Sequence, residues 1–347
     1  MGRYKIYDET LATGIDVAAN VSKTVTLDIP QDKDIQKLYI RLSGTCSGTL
    51  SVWNEDNPMN LIKNLQLRGG KDVIFDCAMQ TLWQLNCYDF GVVPERNALT
   101  LAASASFSAM VCYSFMKNAR NPLDVSCVLP ARDYPNLKLK VQIGAATDLA
   151  TGITLTASAI AVKLTQTDPN PLNLRFEQRD IIRLSESDET ITGANTTYRD
   201  MNVDSVGYRL RRIGIKSVDN SLRSDAFVTN LRMLDRKFNN ILVDDAWSLL
   251  KGQDIYDYTL TPTEYWNASA MINYKDPIGT DSAPKGTIRG MTILDFDKAR
   301  NSQYAMLNFL DLRSYEIGDM KLGYINSAGS GTRKLTKVEE YVTAPSA

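Results

Sequence analysis

The sequence predicts an all-β protein built from two tandem β-sandwiches, each interrupted by one short helix. Three features lead to this prediction: the second half of the chain repeats part of the first, short runs alternate apolar with polar residues, and Gly or Pro separates those runs. A chain of 347 residues also exceeds what one hydrophobic core usually spans, so two domains are expected.

The repeat is clearest around one short segment in each half. Residues 76–90 align with residues 244–258 at an offset of 168, and five of the fifteen positions are identical. About one identity is expected from ordinary residue usage. The preceding Asn64-Leu65 aligns with Asn230-Leu231 at an offset of 166, so the copies differ by two residues here. A period this long indicates a duplicated domain.

In the first half, an irregular N-terminal arm (residues 1–20) precedes a series of short strands. Gly69-Gly70 marks a hairpin because glycine supplies the positive φ angles of tight turns. From Cys77 to Leu85 the apolar spacing changes to that of an amphipathic helix, and Asp76 precedes it as a candidate N-cap. The predicted strands are 23–29, 37–42, 49–53, 61–67, 71–75, 105–115, 137–143 and 153–166.

The second half follows the same plan, with Asp244 before the second short helix. Each half therefore holds about eight strands with one helix inserted among them, and eight strands per domain is typical of a jelly roll. The predicted strands are 176–184, 208–217, 227–234, 240–243, 287–296, 304–312, 319–325 and 333–342.

Two prolines mark the predicted domain boundary. Pro169 and Pro171 cannot donate to a sheet ladder and favour extended or turn conformations. We therefore predict an arm over residues 1–20, a first jelly roll over 21–168 and a second over 169–347.

Composition excludes several function classes. The chain has 39 basic and 40 acidic residues, which argues against a general nucleic-acid-binding role. It contains no histidine, which removes Ser-His-Asp chemistry and His-ligated metal sites. Its five cysteines form no C-x-x-C pair, so we expect buried free thiols, no cofactor and no metal. No apolar run reaches the length of a membrane span, and we expect no cleaved signal peptide.

Two charged motifs have functional and structural interpretations. Asp244-Asp245 and Asp254 to Asp257 are acidic, and a glycosidase needs only two carboxylates across a cleft. However, Asp76 and Asp89 are the repeat equivalents of Asp244 and Asp257, which favours cap or turn roles. The basic run at 209–212 fits a solvated strand face, subunit salt bridges or a phosphate contact.

The N-terminus carries the candidate site residues. Arg3, Tyr4 and Lys5 combine cationic and aromatic side chains, which suit an anionic lipid surface or a neighbouring subunit. We therefore expect them to contact a membrane or the inner face of an assembly.

Taken together, two tandem β domains, a helix inserted in each, a proline-rich joint and the absence of histidine resemble the double jelly-roll major capsid proteins. These proteins build icosahedral, often membrane-containing viruses of bacteria and archaea, and their larger relatives include the adenovirus hexon. The resemblance covers about residues 20–343 and is most specific from Asn60 through the Gly70 hairpin to Leu82. Short loops make the chain similar to the compact members.

This resemblance implies a structural capsid protein and no enzyme. Three chains would form a homotrimer with six jelly rolls and a pseudo-hexagonal outline, and trimers would tile an icosahedral shell. Its partners would be neighbouring capsomers, an internal lipid membrane and minor capsid or vertex proteins, with no specific nucleic acid. The protein would be made in the host cytoplasm and reside in the virion.

Two other functions compete with this interpretation. A secreted or surface carbohydrate-active or sugar-binding protein on tandem β-sandwiches would need carboxylates or aromatic residues that converge in one groove, and Trp247 and Trp266 are the candidate aromatics. A double-cupin enzyme would also have two jelly rolls, but its usual metal ligands are histidines, which this chain lacks.

Overall fold

The structure is a computed structural model. One compact unit runs to Arg183 and the other begins at Leu184; we call them the first unit and the second unit. The described residues are 6–16, 22–53, 56–91, 94–97, 104–121, 123–169, 180–219, 222–258, 264–265, 273–274, 288–297, 309–328 and 332–343.

The first unit contains nine strands and the helix α1 (Met79–Phe90) among its described residues. One-turn 3-10 helices lie at Met59–Leu61, Ala131–Asp133 and Ala146–Asp148. The strands are β1 (Ile6–Asp16), β2 (Lys23–Asp28), β3 (Asp34–Trp53), β4 (Ile62–Gly69), β5 (Asp72–Cys77), β6 (Arg96–Asn97), β7 (Ser104–Ser114), β8 (Lys138–Ile143) and β9 (Ala150–Thr167).

The remaining strands belong to the second half, together with the helix α2 (Trp247–Tyr258). They are β10 (Ile181–Ile191), β11 (Asn195–Asn202), β12 (Arg209–Asp219), β13 (Leu222–Arg223), β14 (Val228–Asp235), β15 (Asn240–Ala246), β16 (Glu264–Tyr265), β17 (Asn273–Tyr274), β18 (Met291–Asp295), β19 (Leu310–Asp311), β20 (Met320–Asn326) and β21 (Arg333–Thr343).

The two units share one strand order. In the first unit, one sheet has the order β1-β9-β3-β7, with the two-residue β6 beyond β7, and β2-β8-β4-β5 are consecutive strands of a second sheet. In the second unit, β10-β21-β12-β18 and β11-β20-β14-β15 repeat those orders position by position. Two antiparallel four-stranded sheets with these crossovers form a jelly roll. The predicted fold class, two eight-stranded jelly rolls each with an inserted helix, is confirmed.

The duplication extends to individual residue pairs. Gln66 faces Asp76 across β4 and β5, and Arg232 faces Asp244 across β14 and β15. The burial patterns of β4 and β14 are identical along all eight residues. Two residues separate β4 from β5, whereas four separate β14 from β15. The two-residue difference between the repeat copies therefore lies in this hairpin turn.

The inserted helix occupies the same place in both units. It directly follows the hairpin and contacts the next long strand, which is β7 for α1 and β18 for α2. Asn86 donates its amide to Cys112 O and accepts from Cys112 N, each at 2.7 Å. Its repeat equivalent, Asp254, accepts from Ile293 N at 3.4 Å. In both copies a polar side chain thus attaches the helix to the backbone of the following strand.

The helix start differs from the prediction. Asp76 lies within β5, where it accepts from Gln66, and the N-cap of α1 is Ala78, which makes no side-chain cap hydrogen bond. Asp244 likewise lies within β15. The N-cap assignment of Asp76 is therefore wrong, because its carboxylate is bonded across the strand pair to Gln66 and the residue lies three positions before the start of the helix.

The hydrophobic core of the second unit lies between its two sheets. Leu210 and Ile213 come from β12, Leu231 from β14, and Leu322 and Tyr324 from β20, and all five are fully buried. Alternating side chains on each strand give one face to this core.

The N-terminal arm is shorter than expected. Residues 6–16 form β1, which pairs antiparallel with β9 from Ile6↔Thr167 to Asp16↔Ala159. The prediction of an irregular arm is therefore wrong for these residues, because backbone pairing with β9 orders them. The last strand of the first jelly roll ends at Thr167 and the first strand of the second begins at Ile181, whereas the division into compact units falls after Arg183. The boundary after Asp168 stays a prediction.

Candidate assembly surfaces

Arg3, Tyr4 and Lys5, the site residues predicted from sequence, lie outside the described residues. The description begins at Ile6, whose side chain is 43% exposed at the start of β1. Tyr7 follows and donates its hydroxyl to Asp168 at 3.0 Å.

The acidic motifs serve structural purposes. Asp244 accepts a hydrogen bond from the Tyr198 hydroxyl. Burial, together with this carboxylate, raises the pKa of Tyr198 to about 12. Asp254 is 2% exposed and accepts from Thr292 at 2.9 Å. Both carboxylates thus take part in hydrogen bonds within the second unit.

The basic run is largely internal. The side chains of Arg211 and Arg212 are 9% and 4% exposed. Both guanidinium groups contact the Glu340 carboxylate, with Arg212 Nη2 at 2.6 Å, and Arg211 Nε also lies 3.4 Å from Asp297. The solvated-face and phosphate interpretations are therefore wrong for these two residues, because β21 places a buried carboxylate beside them.

The aromatic residues proposed for sugar binding do not form a described groove. Trp247 is 2% exposed and donates its indole N–H to Asp225 at 2.9 Å. Trp266 lies outside the described residues. A buried indole cannot stack on a sugar, so Trp247 does not support that interpretation.

The cysteines are all free and buried. Burial raises the pKa of Cys112 to about 12, which leaves a protonated, weakly reactive thiol. The described residues contain no cluster of His, Cys, Asp or Glu able to hold a metal. Within the same part of the chain, no helix has both the length and the apolarity of a membrane span.

One open hollow of about 420 Å3 lies on the sheet of the first unit. Small side chains line it around Gly44, and Arg41 stands at its edge. The Arg41 guanidinium is engaged by Glu95 in two contacts of 2.8 and 3.1 Å. Because the Arg41 guanidinium is paired with Glu95, the polar groups that line the hollow are mainly small side chains such as serine and threonine.

An exposed apolar surface lies at the tip of the β14–β15 hairpin, which we call the Phe238 tip (residues 235–240 with 314–319). Phe238 is 67% exposed and the adjacent segment carries Ile317 at 77%. The tip is firmly braced: Arg236 N donates to Asp319 O at 2.7 Å, and the Tyr315 hydroxyl donates to Asp235 at 2.7 Å.

The Phe238 tip coincides with the two-residue insertion in the second repeat copy. The corresponding turn of the first unit is Gly70-Lys71, which carries no large apolar side chain. Sequence reasoning missed this surface, although the offset change from 166 to 168 marks its position. Rigidly presented apolar side chains at a turn are typical of protein–protein contacts.

The outer side of α2 is a second exposed apolar surface. Leu249 and Tyr256 lie seven residues apart on one helix face and are 52% and 85% exposed. Their repeat equivalents on α1, Thr81 and Tyr88, are fully buried. The same face of the inserted helix is therefore buried in the first unit and exposed in the second.

The fold defines the chain as a double jelly-roll protein: two β-sandwiches of one topology, each with a helix between its fifth and sixth long strands. No known protein-family model matches the sequence. No curated protein matches it.

The solved structures that the chain resembles in fold include viral major capsid proteins. The MCP of Sulfolobus Turreted Icosahedral Virus (STIV) aligns with a TM-score of 0.73 at 14% identity, covering 98% of this chain and 97% of that chain. The major capsid protein P2 of bacteriophage PM2 aligns at 0.55 with 16% identity, covering 99% and 98%. The PBCV-1 virus capsid aligns at 0.60 with 9% identity, covering 98% and 94%. The chain thus shares their double jelly-roll fold over nearly its whole length.

Proposed function

We propose that this chain is a structural major capsid protein whose copies tile an icosahedral virus shell. The observation that carries the proposal is the position-by-position repetition of one jelly-roll topology in both units. The full-length similarity in fold to capsid proteins of an archaeal virus and a phage supports it. Fold alone does not fix function, so the proposal rests equally on what the surfaces offer.

The duplication suits a six-fold lattice position. Three copies of a chain with two similar sandwiches supply six similar wedges, and a closed three-fold ring is a stable symmetry for identical chains. We therefore propose a homotrimer with a pseudo-hexagonal outline as the capsomer, contacting neighbouring capsomers and minor capsid or vertex proteins. In this account the protein is made in the host cytoplasm and resides in the virion.

The proposed role is structural rather than enzymatic. The acidic residues considered for catalysis are engaged in strand and helix contacts, as Asp76, Asp244 and Asp254 show. What the chain offers to partners is exposed apolar surface, which favours self-association.

The decisive experiment for this proposal is size-exclusion chromatography with light scattering on the purified full chain. A mass of three chains, or assembly into large particles, supports the capsid function. A stable monomer that is retained on a glycan column contradicts it and supports the sugar-binding alternative.

The Phe238 tip is the surface where we expect a second copy of this chain to bind. Phe238→Ser removes the exposed ring and its edge contact with the Tyr315 ring but leaves the hydrogen bonds of Arg236 and Tyr315 in place, so it should lower self-association and leave the circular dichroism spectrum unchanged. Leu123→Ser is the matched control, since Leu123 is 66% exposed on the first unit. If both variants self-associate as strongly as the parent chain does, the tip is not a contact surface.

We further propose that Arg3, Tyr4 and Lys5 contact an internal lipid membrane or the inner face of neighbouring capsomers. Each basic side chain near an anionic bilayer contributes about 1 kcal/mol of binding. Co-sedimentation with phosphatidylglycerol vesicles should therefore weaken roughly thirtyfold in the double variant Arg3→Ala, Lys5→Ala. Vesicle binding that is equal for parent and variant would remove the lipid role from these residues.

A further inference from the structure

A fully buried lysine lies in the second unit. The Lys251 side chain on α2 is 0% exposed, and its Nζ lies 3.4 Å from Asp225 Oδ1. The same Nζ donates to the backbone carbonyl oxygens of Ile288 and Met291, the latter at 2.8 Å. The three oxygen neighbours match the three N–H donors of the ammonium form. When one proton is lost, the two carbonyls take the remaining donors and the lone pair is free on the side of the Asp225 carboxyl group. Burial also lowers the pKa of Lys251, which favours the neutral amine.

The Asp225 carboxyl group is held asymmetrically. Its Oδ1 accepts from Trp247 Nε1 and from Gly290 N, each at 2.9 Å. Its Oδ2 is buried and has no hydrogen-bond partner. Two N–H donors on one carboxyl oxygen stabilise negative charge that develops there when the carbon is attacked, as an oxyanion hole does. The unbonded Oδ2 is then the oxygen that can leave.

A second buried carboxyl group lies beside the amine. Asp254 follows Lys251 by three residues on α2, so the two side chains occupy the same helix face. Asp254 is 2% exposed and is held by Thr292 at 2.9 Å. The charge of Asp254 acts on the Lys251 amine, and a carboxylate at this position is the nearest candidate on α2 for proton transfer.

The first unit shows that the jelly roll does not need this charged group. The repeat equivalent of Lys251 is Trp83, and Met59 precedes β4 by three residues as Asp225 precedes β14. Both Trp83 and Met59 are fully buried. Well-packed apolar residues usually serve as well as a buried ion pair, so packing does not explain Lys251 and Asp225.

We propose that Lys251 and Asp225 form an intramolecular amide bond after the second unit folds. Transfer of one proton from Lys251 to Asp225 within this ion pair gives the amine and the carboxylic acid, and Nζ then attacks Cγ and forms the N–C bond. Negative charge on Oδ1 is stabilised by the N–H groups of Trp247 and Gly290. Asp254 takes a proton from Nζ and passes it to Oδ2, and the Cγ–Oδ2 bond breaks to release one water. The step is a condensation and needs no oxidant, reductant or co-substrate.

The bond would covalently join α2 to the segment that leads into β14. A cross-link that closes a loop within a domain restricts the unfolded chain and so stabilises the folded one. The proposal is independent of the capsid function, since it concerns the chemistry within a single unit.

The test is the intact mass of the purified full chain, measured under denaturing conditions. Attack by the lysine amine on the carboxyl group should leave the parent chain lighter than its sequence by one water, about 18 Da. Lys251→Arg should restore the full mass, whereas Lys216→Arg, a change at another buried lysine of the second unit, should retain the deficit. Asp254→Asn should slow the appearance of the deficit.

Fragmentation of a protease digest locates the bond. A branched peptide that joins Asp225 to Lys251 supports the proposal, and it can be sought in the parent chain even if the variants fold poorly. A parent chain at its full sequence mass overturns the proposal. A deficit that persists in Lys251→Arg also overturns it, because cyclisation of an aspartate to a succinimide removes the same mass without lysine.

Discussion

Substitution of Glu340 should strongly lower the free energy of unfolding of the second unit. Its carboxylate contacts the guanidinium groups of both Arg211 and Arg212, with Arg212 Nε at 2.7 Å, and its side chain is 6% exposed. Glu340→Ala removes the anion and leaves two buried cations without it. Removing one partner of a buried ion pair typically costs about 3–5 kcal/mol of unfolding free energy. We expect a loss in this range.

The matched control is an exposed pair in the same unit. Asp311 and Arg313 lie 2.6 Å apart, but their side chains are 50% and 66% exposed. Water and salt screen such a pair, so Asp311→Ala should cost no more than about 1 kcal/mol. Equilibrium urea unfolding followed by far-UV circular dichroism gives both values from midpoint and slope. Equal losses for the two variants would refute the reasoning that burial sets the cost.

Three further predictions concern packing, hydrogen bonding and pH. Gly44→Ala should destabilise the first unit by about 1–3 kcal/mol, since the new Cβ would lie 2.5 Å from the Phe107 ring and 2.6 Å from Ala157 O. In the same urea assay Gly193→Ala should be nearly neutral, because nothing lies within 4 Å of its Cβ position, and the reverse ranking would contradict the packing. Asn86→Ala leaves Cys112 N buried without its side-chain acceptor and should cost about 1–3 kcal/mol in urea unfolding; a neutral result would show that Asn86 does not attach α1 to β7. Burial raises the pKa of Tyr39, Tyr134, Tyr198 and Tyr315 to about 12 from an ordinary 10.0. The stability that these protonated tyrosines contribute is complete below pH 10.0 and is lost as pH rises through about 12. The thermal midpoint of unfolding should therefore fall between pH 10.0 and about 12. If the tyrosinate absorbance of the folded chain titrates fully near pH 10.0, the prediction is contradicted.

The duplication could be predicted from the sequence because the repeated residues occupy structurally equivalent positions in the two units. Leu65 and Leu231 are both fully buried at the same point of β4 and β14. The Gly70 turn was also predictable, since its φ of 60° suits glycine. Periodicity and turn chemistry together specify which face of each strand is buried.

The edge strands were not predicted because few of their side chains are buried. Most side chains of β11 are exposed or half-buried, so Asn195–Asn202 shows no apolar alternation. β1 is likewise the edge of its sheet and is held by pairing with β9. Backbone hydrogen bonding to a neighbour distant in sequence leaves no local pattern.

Buried charges escaped prediction for a related reason. Arg211, Arg212 and Lys251 look like surface residues in sequence, and their partners Glu340 and Asp225 lie 26 to 129 residues away. Only the topology brings β12 beside β21 and α2 beside the segment before β14. The exposed Phe238 tip was missed because one aromatic residue in a loop has no period.

Single-particle electron microscopy of the purified chain tests the central claim most directly. If the duplicated jelly rolls exist to contact copies of themselves, class averages will show a three-fold particle with six similar lobes. Particles of one chain with two lobes, or assemblies whose symmetry lacks a three-fold axis, would contradict the account.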